Sequence, residues 1–183
     1  MTERYEAVVP GMYGMFRDVV RDARGRVQLD SGWVKNAIVV DCRRVIAGLL
    51  RGSPTSALSI QGLRVGAGLG AWDALPAPPA PSPTQSTLED ANSHLVPRTE
   101  LDFQYLEPDG SISAAPTNRL QIVAELGPGV PPWPDASHAS ATLREFGLVA
   151  QLEGTEVLLN YRTHAAIPKD PASTLTRTIW LVF

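Results

Sequence analysis

The chain predicts a mainly β fold, an antiparallel β-sandwich with one packed helix, introduced by an N-terminal arm and a hairpin. Three observations lead there. Residues 141–183 read as strand, tight turn, strand, proline-broken turn, strand, and end on an aromatic, Phe183. Only one stretch carries a sustained helical period. The 16 prolines and 15 glycines cluster between short apolar runs, as turns between strands do and as a helical bundle does not.

In chain order, residues 1–14 read as an arm, because Pro10, Gly11 and Gly14 interrupt any regular pattern. A single domain is expected over 15–183. Its first element is a hairpin, Met15–Asp22 and Arg26–Asp30, turning at Gly25. A helix is expected over about 34–51, with Val34, Ile38, Cys42, Val45 and Leu49 on one face. Gly52 and Pro54 then stop it. Ser56–Val65 reads as a strand. A Pro-rich loop of polyproline character follows over about 66–87. Thr99–Leu106 alternates, with Leu101, Phe103 and Tyr105 on one side, and Glu107-Pro-Asp-Gly110 is a turn. Arg119–Leu126 alternates again, and a second Pro-rich loop spans about 127–138. Ala141–Ala150, Glu156–His164 and Thr174–Phe183 are the closing strands. Gly154 is free to take positive φ in the first of their turns, and the last strand is expected to pair inside a sheet.

The bulk numbers exclude several classes. A formal charge of −3 with scattered Arg and Lys lacks the basic face of a nucleic-acid binder. One cysteine allows no internal disulfide and no cysteine zinc cluster. No run approaches a membrane span, and the start lacks the pattern of a signal peptide. Synthesis and assembly in the cytoplasm are expected.

Candidate chemistry is sparse. Gly66-Ala-Gly-Leu-Gly70 has GxGxG spacing, no P-loop lysine and no helix behind it, so no phosphate site is expected. His94, His138 and His164 lie far apart and read as isolated, although a fold could converge them with Asp41, Asp90 or Glu145. Cys42 sits on the apolar helix stripe and reads as a small hydrophobe. Glu145 in a strand and Asp109 in a turn do not suggest a tuned carboxylate pair, and no nucleophile elbow occurs. No cofactor and no metal are expected. Trp72 and Trp133 sit in Pro/Gly-rich loops, either folded back over the core or kept for a partner. With Tyr5 and Tyr13 of the arm region they form the candidate interface set.

Several segments, taken in order, resemble small structural proteins of bacteriophage tails. They are Val20-Arg-Asp-Ala-Arg-Gly-Arg-Val27, the Gly-Trp-x-x-Asn step at Gly32–Asn36, and Leu58-Ser-Ile-Gln-Gly-Leu-Arg-Val-Gly-Ala-Gly68. Ser86–Asp90, Leu143-Arg-Glu-Phe-Gly-Leu148, Ile167-Pro-Lys-Asp170 and Leu175–Phe183 continue the series. The resemblance spans most of residues 15–183; each motif is short, and the Pro-rich insert at 76–83 and the loop at 128–138 are longer than the pattern. It implies a non-enzymatic subunit of a phage tail or phage-tail-like contractile injection particle, baseplate-associated or tail-fibre-like. Such a subunit would homo-oligomerise and meet other particle proteins through arm, loops and sheet edges. The alternative expectation is a sandwich module whose loops grip a glycan or host surface, with Trp133 stacking on a sugar; a cell-wall hydrolase ranks third.

Overall fold

The computed structural model describes residues 11–52 and 58–183. Its strands are β1 (Tyr13–Arg21), β2 (Val27–Asp30), β3 (Val34–Ile38), β4 (Gly62–Gly66), β5 (His94–Pro97), β6 (Leu101–Leu106) and β7 (Ile112–Ser113). They continue with β8 (Arg119–Leu126), β9 (Thr142–Leu152), β10 (Thr155–Leu158), β11 (Asn160–Pro168) and β12 (Thr174–Val182). The α-helix α1 spans Val40–Leu50. The structure shows the mainly β class with an antiparallel sheet and, among the described residues, one helix of more than two turns.

All twelve strands lie on one hydrogen-bonded path, in the order β5-β4-β9-β11-β3-β1-β12-β8-β6-β7, with β2 attached to β1 and β10 to β9. The path doubles over at β3 and β11, where only Ile38 and Ala37 pair with Asn160 and Tyr161. Its two halves therefore face each other without being separate sheets. Phe16 of β1 meets Phe146 of β9 edge-on, ring centres 4.9 Å apart, though two strands separate them along the path. One apolar core runs between the halves, through Ile122, Leu126, Leu175 and Ile179 on one side and Leu63, Leu143 and Leu148 on the other.

β1 and β12 alternate strictly between buried and half-exposed positions, the pattern of a strand with one face on a core. β12 pairs along its whole length with β1 on one side and β8 on the other, inside the sheet as its composition predicts. The hairpin turns at Gly25 (φ 78°). The β9–β10 turn is tighter than foreseen: Leu152 pairs Thr155, and both intervening residues, Glu153 and Gly154, have positive φ.

The helix expected over 34–51 is a correction. Residues 34–38 are strand β3, and the helix begins only at Val40. Val34, Asn36 and Ile38 also satisfy a period of two, and the β-branched run Ile38-Val39-Val40 favours extended backbone. Gly52 (φ 89°) closes the helix by donating its N–H to the Leu49 carbonyl. The strand expected over 156–164 is also broken. Its register against β9 shifts by one residue between Leu158↔Val149 and Arg162↔Phe146. Asn160 fills the gap, its Oδ1 accepting the Leu148 N–H at 2.7 Å.

Both Pro-rich loops are pinned to the sheet. The first contains a short 3-10 helix at Gly70–Ala74. Further along it, the Pro79 carbonyl accepts from Thr163 Oγ1 (2.5 Å) and the Pro83 carbonyl from the Val40 N–H (2.9 Å). The expected arm, 1–14, lies outside the described residues except for its last four, of which Tyr13 and Gly14 already belong to β1.

Candidate functional site

Of the four candidate interface residues, Tyr5 lies outside the described residues. Tyr13 opens β1 opposite Val182 and is 36% exposed. The two tryptophans are turned inward. Trp72 is buried against Gly68, where a Cβ would collide with its ring. Its helical turn is fastened by the Asp73–Arg144 ion pair at 2.6 Å, and Arg144 Nη1 also donates to the Ala67 carbonyl. Trp133 is part of the core cluster and stacks on His138, ring centres 3.8 Å apart. Neither is a free aromatic for a partner, and a sugar has no open face of Trp133 to stack on.

The reading of the histidines as isolated is corrected at His138 and His164. His138 is buried, with Nε2 3.0 Å from Asp90 Oδ2 and Nδ1 2.8 Å from Asp135 Oδ1. Asp90 Oδ2 also accepts the Ala67 N–H. The Asp90 N–H donates in turn to Glu145 Oε1 at 2.7 Å, and Glu145 Oε2 accepts from the Glu89 N–H and from the Tyr161 hydroxyl at 2.5 Å. Of the convergences named from the sequence, that of a histidine with Asp90 is thus realised at His138, and Glu145 joins it only through the Asp90 backbone N–H. Burial raises the Glu145 carboxyl above its usual range, against the lowering effect of its three hydrogen bonds. Burial and the adjacent Glu145 push the Tyr161 phenol up as well.

A second polar cluster lies in the core. Arg177 of β12 and Asp18 of β1 are fully buried and paired in a fork, Nε to Oδ1 at 2.7 Å and Nη2 to Oδ2 at 2.6 Å. Arg177 lies over the Phe146 ring at 3.9 Å, and its Nη2 also meets His164 Nε2 at 3.1 Å. His164 Nδ1 is 2.8 Å from the Ala165 carbonyl, which can only accept, so Nδ1 carries the proton and Nε2 accepts from Arg177. Desolvation, then the neighbouring guanidinium, lower His164 to about 4.

These clusters are cross-braces. Their carboxylates are committed to backbone N–H groups, a phenol, an imidazole or a guanidinium; the first cluster ties residues 67, 89–90 and 135–138 to β9 and β11, and the second joins β1 and β12 to His164 of β11. Among the described residues no group of three or more His, Cys, Asp or Glu is placed to hold a metal ion. No helix among them is long and apolar enough to cross a membrane.

An opening with a strongly apolar lining lies elsewhere among the described residues. Between α1 and the inner face of β6, β8 and β12 is a cleft of about 460 Å³. Val45, Ile46 and Leu49 of α1 face Phe103, Leu120 and Leu181 across it. Cys42 lies in its wall, and burial pushes that thiol up to about 11, far from the thiolate a nucleophile needs. Nothing in the sequence announced this cleft, since its apolar residues are those any packed helix and sheet would show. Comparison with family models, with curated proteins and with solved structures finds no match to this chain.

Proposed function

We propose that the chain is a non-enzymatic structural module that joins neighbouring subunits by strand addition, in the manner of the phage-tail or contractile-particle subunits its motif order resembles. One observation carries the reading: the sheet path stays open at β6. The edge strand β7 is two residues long and pairs only with Tyr105 and Leu106. Residues Leu101–Gln104 pair with β8 on one side and, among the described residues, with no strand on the other. Such an edge presents unpaired backbone donors and acceptors to another chain. The opposite end is guarded, because β5 is only four residues long and ends in Pro97. The internal commitment of the buried carboxylates fits a scaffold better than a catalyst. Homo-oligomerisation and contact with other particle proteins belong to this reading, as does a place in a virion tail or tail-like particle.

The test is amide hydrogen exchange on the full chain, dilute and concentrated, alongside light scattering. Strand addition at β6 predicts that Asp102–Gln104 gain protection as the mass rises. A rise in mass with no added protection there, or a monomer at all concentrations that also fails to incorporate into particles in producing cells, would overturn it. The glycan-binding alternative loses Trp133. A surface aromatic pair, Trp33 over Trp180 at 4.2 Å with Trp33 exposed, is what remains for it. A glycan-array signal lost on Trp33→Ala would favour that alternative.

A further inference from the structure

We propose that the cleft between α1 and the β6–β8–β12 face binds an amphipathic carboxylate, an aliphatic chain with one anionic head, and that Arg98 receives the head. The proposal concerns a different surface from the β6 edge and does not depend on strand addition.

The cleft has the size and character of a small-molecule site, since such sites span about 300–1,000 Å³ and are mostly apolar with a few placed polar groups. Its rim is left wet. Leu49 is 39% exposed, Tyr105 41% and Phe183 43%, although all three line the same opening. An aliphatic chain laid against them would remove apolar surface from water on both walls, worth roughly 25 cal/mol per Å².

Charge selects the head group. Among the described residues, Arg98 is the sole charged side chain lining the cleft. The guanidinium is already held: Nη1 donates to the Ile60 carbonyl at 2.8 Å, and the group sits 4.5 Å over the Phe103 ring. The Arg98 backbone N–H is fixed to the Gln61 carbonyl at 2.8 Å. Nε and Nη2 make no hydrogen bond among the described residues, which leaves donors for a carboxylate. A neutral ligand would fill the cleft equally well and leave those donors to water. The chemistry therefore favours a long-chain acid over the alcohol of the same length.

The full chain, stripped of bound lipid by reversed-phase treatment and refolding, is titrated with the fluorescent fatty acid cis-parinaric acid and challenged with dodecanoate and dodecanol. Expected are saturable binding at one site per chain and displacement by dodecanoate at a concentration on the order of tenfold below dodecanol. Arg98→Gln should erase that preference, so that dodecanoate and dodecanol then compete at similar concentrations. Leu49→Trp, at the half-exposed rim, should block the cleft and weaken both competitors with an unaltered melting curve. Absence of saturable probe binding would overturn the proposal. So would an Arg98→Gln variant that keeps the acid preference, or probe uptake indifferent to Leu49→Trp. A dimer that Leu49→Trp converts to monomer, with no probe bound by either form, would assign the cleft to a second copy of the chain instead.

Discussion

Replacing Asp18 by Asn tests the interior most sharply. The carboxylate is fully buried and receives two N–H groups of Arg177, at 2.7 and 2.6 Å. An asparagine can accept one of them, but its NH₂ must then face the other, donor against donor. The guanidinium keeps its charge, stacked on Phe146 with no solvent to turn to. Removing one partner of such a pair costs about 3–5 kcal/mol. For a chain of this size each kcal/mol moves the melting temperature by roughly 2–4 °C, so the expected fall is about 6–20 °C. The double change Asp18→Leu with Arg177→Met removes both charges and should recover most of the loss. Thermal and urea unfolding followed by circular dichroism reads all the variants, and the parent–single–double cycle isolates the coupling. A D18N melt indistinguishable from the parent, or a double variant no better than the single one, would refute the argument that desolvated charge dominates here.

Other outcomes follow from the same cross-braces. His164 is lowered from 6.5 to about 4 by burial, so the unfolded chain binds its proton first and stability should fall as pH drops through that window. The loss approaches about 3 kcal/mol below pH 4. Glu145, raised by burial, contributes with the opposite sign, gaining as pH falls through its folded value, so the difference between parent and His164→Gln urea curves isolates the imidazole. Glu145→Ala orphans the Tyr161 hydroxyl and two loop N–H groups, which should cost roughly 3 kcal/mol or more and speed proteolysis within residues 66–92. Gly147→Ala would set a methyl 2.5 Å from Leu158 Cδ2 and 2.7 Å from the Asn160 carbonyl oxygen, and thermal melts should show a loss of about 1–3 kcal/mol. Trp133→Ala should cost about 3–5 kcal/mol in urea unfolding, as a core residue does, and leave any glycan signal untouched.

What the sequence disclosed followed the strength of local pattern. β8 was readable through Leu120, Ile122, Ala124 and Leu126 and β12 as the closing apolar run, while Gly25 marked the turn after β1 and Gly154 the turn between β9 and β10. Residues 34–38 were not, because Val34 and Ile38 fit periods of two and of four alike, and only pairing to Phe16–Gly14 decided between them. The break at Leu159–Asn160 depends on a bond to Leu148 that local sequence does not encode. The loop tryptophans could not be settled either, since their burial rests on Gly68 and His138, contacts made by the folded chain. The polar clusters do leave a trace in the sequence. Asp18 stands between Phe16 and Val20 and Arg177 between Leu175 and Ile179, each on the core-facing register of its strand, and Glu145 lies in β9, which is buried on both faces. A buried charge calls for an opposite charge or a set of donors beside it; Asp18 and Arg177 answer each other from neighbouring strands, and Glu145 is answered by two N–H groups and a phenol.

The seat of β12 between β1 and β8 has a consequence for how the protein is made. Asp18 and Arg177 are separated by 159 residues, yet they sit on neighbouring strands. A nascent chain emerging in order would expose the flank of β1, and then that of β8, for as long as β12 remains inside the ribosome. Pairings of such long range form late and slowly. Until then the two flanks are open templates for other strands, so producing cells should need chaperone occupancy to keep the unfinished sheet from joining its neighbours prematurely.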